Sequence, residues 1–385
     1  MDREKKPLKY RRPRSLGLNP GSEAAEKRKW VRLTRACNNR CVFCLDEEAQ
    51  NGTYLPFPDI VRDLSAGIRE GCKRAVLSGG DPTVHPDFLK IIRSAYLIGY
   101  RHIQAISNGR MFCYQSFLEK AVKAGLGEIT FSIHAPYAEL NDSLTGIKGS
   151  FVQSMAALKN ALKIPGLIVN CDIVANALNI DVLAKHIEML NSCGVNEFDI
   201  LHIMPFGRAW SNWDLLYYDP FKKKQQLFDA FSIRKKTGVH IWTNRFPAGL
   251  FEGCEDLIQS PVKLSYEILG RKKEFDALSR GKEMPCASKR CSFCVLERFC
   301  RDFRELCGKK RLFALKMPPC IKKSSYKENV YVSSDMPIED IAMFYIEKRH
   351  FIKSSRCEKC CRNAACSGVP ELYAMEHGFS CMKPL

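Results

Sequence analysis

The chain has 385 residues, long enough for one large domain and a smaller one. It is 45% hydrophobic and 26% charged with a formal net charge of +18, the composition of a soluble globular protein. No run approaches the roughly 18 apolar residues of a membrane helix, and "MDREKKPLKYRRPRS" has no apolar core and is no signal peptide. A cytoplasmic location with reduced thiols and no membrane partner is therefore expected.

The first segment, 1–29, reads as a basic tail, and further basic runs stand at 222–224, 234–236 and 309–311. A solvated surface accounts for such charge; so does an anionic partner, either an acidic peptide or a nucleic acid. No RNA-binding signature accompanies it.

From residue 30 short β-rich runs alternate with helical periods. Candidate strands lie at 30–35, 74–80, 102–107, 128–134, 167–174 and 198–204. Between them, "SFVQSMAALKNALK" sets Phe151, Met155, Leu158 and Leu162 on one helix face. Six such units predict a parallel sheet with helices outside it, a partial (β/α)6 TIM-type barrel over 30–245. In such barrels the chemistry sits at the C-terminal strand ends. That rule gathers Cys37, "SGGDPT" (78–83), "SNG" (107–109), "SIH" (132–134) and "MPFG" (204–207) on one rim.

Beyond 245 the alternation fades and an irregular Cys-rich region is expected over 246–385, with "KKSSYKENVYVSSDMP" (322–337) as a linker. The chain holds 19 cysteines, an odd and clustered count that favours metal ligation over a disulfide framework. Cys37, Cys41 and Cys44 form C-x3-C-x2-C after the first strand. Three thiolates can hold three irons of a [4Fe–4S] cube and leave the fourth open, whereas a structural zinc wants a fourth ligand. Asp46, Glu47 and Glu48 follow, with no His. A second set, Cys286, Cys291, Cys294 and Cys300, can close a full site; zinc and a cube both fit that spacing. In a third set Cys357, Cys360 and Cys366 are joined by Cys381, or alternatively Cys361. A zinc knuckle is the other reading there. Cys72, Cys113, Cys171 and Cys193 read as small buried apolar residues. Cys254, Cys307 and Cys320 carry no assignment.

The triplet, with Phe43 before its last cysteine, resembles the signature of the radical S-adenosylmethionine enzymes, and the later motifs follow in that family's order. "GGDPT" resembles its glycine-glycine-glutamate motif, with Asp81 in place of Glu. The resemblance implies that Phe43, Gly79, Gly80, Asp81, Pro82, Ser107, Asn108, Ser132 and Met204 face S-adenosylmethionine. Glycine would let the backbone approach the cofactor's methionine end. Because Asp is shorter, loop carbonyls are an alternative acceptor for its ammonium. Gly281-x4-Cys286 and C-x2-C-x5-C resemble parts of the SPASM extension and its auxiliary iron–sulfur clusters, although Arg304 stands where that family has a further Cys.

The resemblance implies reductive cleavage of S-adenosylmethionine to a 5'-deoxyadenosyl radical, which abstracts hydrogen from the substrate. A reductant such as ferredoxin or flavodoxin would supply the electron, and one catalytic and two auxiliary [4Fe–4S] clusters are expected. The SPASM-like tail points to a peptide or protein side chain as substrate. RNA or another phosphorylated substrate is the alternative, and an iron–sulfur scaffold or electron carrier the non-enzymatic one. His134 and Arg245 are the substrate-facing candidates.

Overall fold

The computed structural model describes residues 27–307, 310–321, 327–333, 336–383 and 385. Most of the basic tail lies outside them. Among the described residues, those up to Asn244 form one compact unit and those from Arg245 onward a second.

The first unit is a parallel sheet of seven strands in sequential order. They are β1 (Arg28–Thr34), β2 (Arg74–Gly79), β3 (His102–Ser107), β4 (Glu128–Ser132), β5 (Ile168–Ala175), β6 (Glu197–His202) and β7 (His240–Asn244). With β1 and β7 at opposite ends of the order, the barrel is partial. β7 is one strand more than the alternation predicts. It is five residues long and ends the seven-stranded sheet. Strand β1 begins at Arg28, two residues inside the expected tail.

Helices α1 (Phe57–Arg69), α2 (Phe88–Ile98), α3 (Gln115–Ala124), α4 (Ala138–Thr145), α5 (Ser150–Ala161) and α6 (Leu183–Ser192) fall between successive strands. Alternation decides the two faces of the sheet. Ile103, Ala105, Ile129, Phe131, Cys171, Ile173, Phe198 and Ile200 are almost fully buried on one face. Residues between them face the other way, and many are polar. No helix among the described residues is long and apolar enough to cross a membrane.

At the N-terminal strand ends that polar face closes on Glu128. Its Oε2 lies 2.5 Å from His102 Nε2 and 3.1 Å from Arg74 Nη1, and Asn170 Nδ2 donates to its Oε1 at 2.8 Å. One carboxylate thus ties the starts of β2, β3, β4 and β5 together. Burial alone would raise the Glu128 pKa; the His102 hydrogen bond and the Arg74 charge outweigh it, and the net shift is downward.

The second unit is more regular than expected. It contains α10 (Lys263–Leu269), α11 (Lys272–Ser279), α12 (Glu297–Leu306), α13 (Ile338–Lys348) and α14 (Glu371–His377), preceded in the first unit by the short α7 (Gly207–Ser211), α8 (Trp213–Leu216) and α9 (Lys224–Ser232). An antiparallel hairpin joins β8 (Lys310–Lys316) to β9 (Lys327–Ser333), so much of the expected linker is strand. Residues 322–326, 334 and 335 of that stretch lie outside the described residues. Phe275 meets Phe299 and Phe303 edge-on, with centroids 5.1 and 5.4 Å apart, and Phe299 meets Tyr345 at 5.2 Å. Edge-to-face rings pack densely, and α12 brings Phe299, Phe303 and Leu306 into this core at helical spacing.

Replacing Glu128 by Gln leaves Arg74 and His102 without their buried countercharge, and a loss of about 3 kcal/mol is expected. Because the folded pKa is depressed, the Glu128 contribution is complete above its ordinary value of 4.5 and is lost as pH falls through the folded value. The difference in urea midpoint between wild type and Glu128→Gln should therefore be full at neutral pH and shrink at about pH 3.

Candidate active site around the cysteine loop

The loop that follows β1 carries Cys37, Cys41 and Cys44, and neighbouring strand ends and helices hold it from several sides. From β2, Gly80 N donates to Thr34 O and Asp81 N to Ala36 O, both at 2.9 Å. A Cβ on Gly79 would overlap the Thr34 carbonyl oxygen, and one on Gly80 the Ala36 carbonyl oxygen. The glycine pair is thus required by the chain's own backbone packing, whatever a cofactor adds. From the end of α4, Thr145 O accepts from Arg40 N and Leu144 O from Val42 N, each at 2.9 Å. From α7, Arg208 N donates to Cys44 O at 2.9 Å. Gly207 has φ +53, and a Cβ there would stand 2.5 Å from the Cys44 oxygen. Asn212 Nδ2 adds a bond to Val42 O at 3.1 Å.

Strand β3 contributes the "SNG" turn. Asn108 Nδ2 donates to Asn38 Oδ1 at 2.6 Å and lies 3.9 Å from Cys37 Sγ. Arg110, just beyond the turn, donates from Nη1 to Asn38 O and to Asn39 Oδ1 at 3.1 Å, while its Nε reaches Gln153 Oε1 at 2.6 Å. Asn39 N also donates to Cys37 Sγ at 3.4 Å, and Gln50 Nε2 to Cys44 Sγ at 3.2 Å. Arg110, Gln50 and Arg208 are absent from the sequence-derived candidates. Only the position of Arg110 beside "SNG" pointed to it.

Several expected cofactor contacts are placed differently. The Asp81 carboxylate is 1% exposed and engaged inside the protein. It accepts from Ser107 Oγ and Asn108 N at 2.8 Å, from Thr83 N at 3.0 Å and from Thr83 Oγ1. Burial raises its pKa, and those hydrogen bonds oppose the rise. Ser107 is buried in the same network and accepts from Gly109 N at 3.0 Å. Phe43 is buried among Ala135, Leu144, Ile203, Trp213 and Leu216, so its ring anchors the loop in the apolar interior. Pro82 and Met204 are buried, and Ser132 is half-buried at the end of β4.

The two substrate-facing candidates both have partners inside the protein. His134 is buried, with its ring edge-on to Phe43 at 4.6 Å and its Nδ1 accepting from Val174 N at 3.3 Å. Burial pushes it down to about 3, so it is neutral at physiological pH. Arg245 is held by Glu267, with Nη2 donating to Oε1 at 2.7 Å and Nε at 3.1 Å. The pairing leaves its guanidinium committed within the second unit.

Burial pushes the Cys37 thiol up to about 11, aided by the Asp81 charge, and raises Cys41 and Cys44 as well. The Arg208 charge opposes the rise at Cys41 and Cys44. A half-buried three-thiol loop suits a cationic occupant, and N–H donors aimed at Cys37 and Cys44 suit sulfur bonded to iron. Among the described residues no three His, Cys, Asp or Glu side chains converge closely enough to hold a single metal ion. The thiolates of a cube bond separate irons and stand further apart than the ligands of one ion, so a cluster does not need such convergence.

In the second unit, Cys286, Cys294 and Cys300 lie partly buried against the aromatic core. Cys300 is pushed up to about 12 by burial and then by the charges of Cys294, Cys286 and Cys291. Cys307 donates to Phe303 O at 3.3 Å and Leu278 O at 3.6 Å, which engages its thiol. In the third set Cys361 is exposed. Cys72 and Cys171 are buried as expected, while Cys113 and Cys193 are half-buried.

Residues 31–200 match the family described as the Radical SAM superfamily. The chain contains a radical SAM domain. Such a domain implies S-adenosylmethionine and a [4Fe–4S] cluster. Among curated proteins, a "Probable GTP 3',8-cyclase" of Saccharolobus islandicus (strain M.14.25 / Kamchatka #1) is 28% identical over 223 residues, 57% of this chain and 71% of that protein. The protein of the same description from Saccharolobus solfataricus matches with the same identity and coverage. Among solved structures, Streptococcus suis SuiB bound to S-adenosylmethionine aligns with a TM-score of 0.48 and 13% identity, covering 89% of this chain and 70% of that one. SuiB bound to precursor peptide SuiA aligns at 0.46 with 14% identity, covering 61% of this chain and about half, 52%, of that chain.

Two outcomes test this site. Gly80→Ala drives a methyl group into the Ala36 carbonyl, so the reconstituted variant should lose about four irons per chain relative to wild type. The thiols must also shed protons when iron binds, and their pKa values are raised. Cluster uptake at limiting iron, followed by visible absorbance, should therefore increase from about pH 7 to about pH 9.

Proposed function

We propose that the protein is a radical enzyme that cleaves S-adenosylmethionine reductively and removes a hydrogen from a peptide or protein side chain. The three-thiol loop carries the reading: it is pinned on several sides and offers no fourth thiol or imidazole within its own length. Cys37, Cys41 and Cys44 then hold three irons of one cube. Held this way, the cluster would leave one iron for the amine and carboxylate of S-adenosylmethionine and, reduced by a ferredoxin- or flavodoxin-type donor, would supply the electron for the cofactor's cleavage.

The protein's own share is orientation and exclusion of water. With Asp81 engaged internally, the backbone carbonyls around Gly79–Pro82 are the available acceptors for the ammonium. Asn108 and Arg110 hold the loop in register with the end of β3. Ser132, at the end of β4, and Met204, just past β6, would meet the ribose and adenine. In the second unit, Cys286, Cys291, Cys294 and Cys300 form one auxiliary cluster site, and Cys357, Cys360 and Cys366 are the core of another.

A peptide substrate is supported by the likeness of those thiol sets to SPASM extensions. The sheet face that carries Ser132 agrees with it. There Ser132, Asp172, Asp199 and Trp242 lie in one register across β4, β5, β6 and β7. A wall with two carboxylates suits a cationic or polar side chain better than a triphosphate. The relatives described as probable GTP 3',8-cyclases support the second reading, a nucleotide or other phosphorylated substrate, which the net charge of +18 would favour.

Anaerobic protein given dithionite and S-adenosylmethionine should release 5'-deoxyadenosine, and Cys41→Ala should abolish it. Release that persists in Cys41→Ala would overturn the enzymatic reading. Substrate affinity separates the two classes: a polyanionic substrate loses affinity steeply as salt rises, whereas a peptide recognised by pockets should change by only a few fold between about 50 and 200 mM salt.

A further inference from the structure

Cys44 closes the three-thiol loop, and one side chain is aimed at its sulfur. Gln50 Nε2 donates to Cys44 Sγ at 3.2 Å. The sulfur of Cys37 takes its N–H from the backbone of Asn39, at 3.4 Å. Asn108 Nδ2 stands 3.9 Å from that sulfur and is given instead to Asn38 Oδ1, at 2.6 Å. The bond to Cys44 is the shortest of these three, and it comes from a side chain that a substitution can remove.

The local chain fixes this aim. A 3₁₀ turn, Glu47–Ala49, leads from the loop to Gln50. Ala49 N donates to Asp46 O and Gln50 N to Glu47 O, each at 2.9 Å. Arg35, just past β1, reaches Ala49 O from Nη1 at 3.1 Å. Beyond the turn, Gly52 N donates to Arg35 O at 3.1 Å and Arg35 N to Thr53 O at 2.7 Å. The backbone on both sides of Gln50 is thus tied to Arg35, and the half-buried side chain is carried to the sulfur by a framed segment. Two carboxylates that follow Cys44 are meanwhile paired. Arg32 Nη1 lies 2.8 Å from Asp46 Oδ2, and Arg208 Nε 3.5 Å from Glu47 Oε1. Those cations offset the negative field of the carboxylates at the sulfur, whereas the Gln50 amide points its positive end at it.

An N–H is held more tightly by an acceptor that carries more negative charge. A thiolate on iron carries more when its cluster is reduced, so the bond favours the reduced state and raises the potential. We propose that Gln50 is a positioning residue for the electron: through Cys44 Sγ its amide raises the reduction potential of the cube on this loop, and the cube is easier for a donor to reduce. The proposal rests on the reading of Cys37, Cys41 and Cys44 as ligands of one cube.

The test is a redox titration of the full chain, reconstituted anaerobically and followed by electron paramagnetic resonance. The signal that shifts on adding S-adenosylmethionine marks the cube on this loop and separates it from any downstream cluster. Gln50→Met keeps the reach of the side chain and removes the N–H; Gln50→Glu keeps its shape and turns an acceptor towards the sulfur. Both variants should bind wild-type iron and give the wild-type circular dichroism. In each, the ratio of reduced to oxidised cube at a fixed potential should fall about tenfold, which is about 59 mV for one electron. If both variants keep their iron and the wild-type potential, the tuning role is wrong while the radical-enzyme reading stands. If both lose iron, Gln50 only holds the loop together and the tuning role is again wrong. A wild-type protein with no signal that responds to S-adenosylmethionine overturns the radical-enzyme reading and the proposal together.

Discussion

The first unit depends on backbone meeting backbone. The cysteine loop and the end of β1 stay in one shape because Gly79, Gly80, Gly146 and Gly207 bring the backbone of three other segments against them at distances no side chain would permit. Each contact is an ordinary hydrogen bond or van der Waals approach, worth little alone. Together they leave the loop few alternative conformations. The seven strands serve this end by delivering β2, β3, α4 and α7 to one place.

Charge follows the same logic. Three half-buried thiols held close together are costly to ionise, and their raised pKa values express that cost. N–H donors from Asn39 and Gln50 and the charge of Arg208 lower it in part. A cluster's irons would supply the rest. At the opposite end of the strands, Glu128, Arg74 and His102 solve a similar problem within the protein, with a full set of partners.

Much of this was legible in the sequence, for reasons that differ by element. Strands β1 to β6 show as β-rich runs between helical periods. The triplet, the glycine pair and "SNG" fall at strand ends because the βα alternation puts them there. Side-chain direction was not legible. Asp81, Phe43, His134 and Arg245 are residue types that suit a binding site, yet each turns to a partner inside the protein: Ser107, the Trp213 cluster, Val174 and Glu267. Sequence shows which groups a segment carries but not which neighbour arrives first. β7 is short, and the next α-helix, α10, begins only at Lys263. The helices beyond Arg245 are masked by cysteines and charge that break the apolar period.

Asp81 has a further consequence. A glutamate at its position would have the reach to meet a ligand; the shorter aspartate is drawn under the loop and ties β2 to the turn after β3. The ordering of that turn is then complete when the protein folds, before any small molecule arrives. Ligand binding there needs little further loss of chain entropy, so the rim behaves as a preformed seat whose affinity is set by fit and not by induced closure.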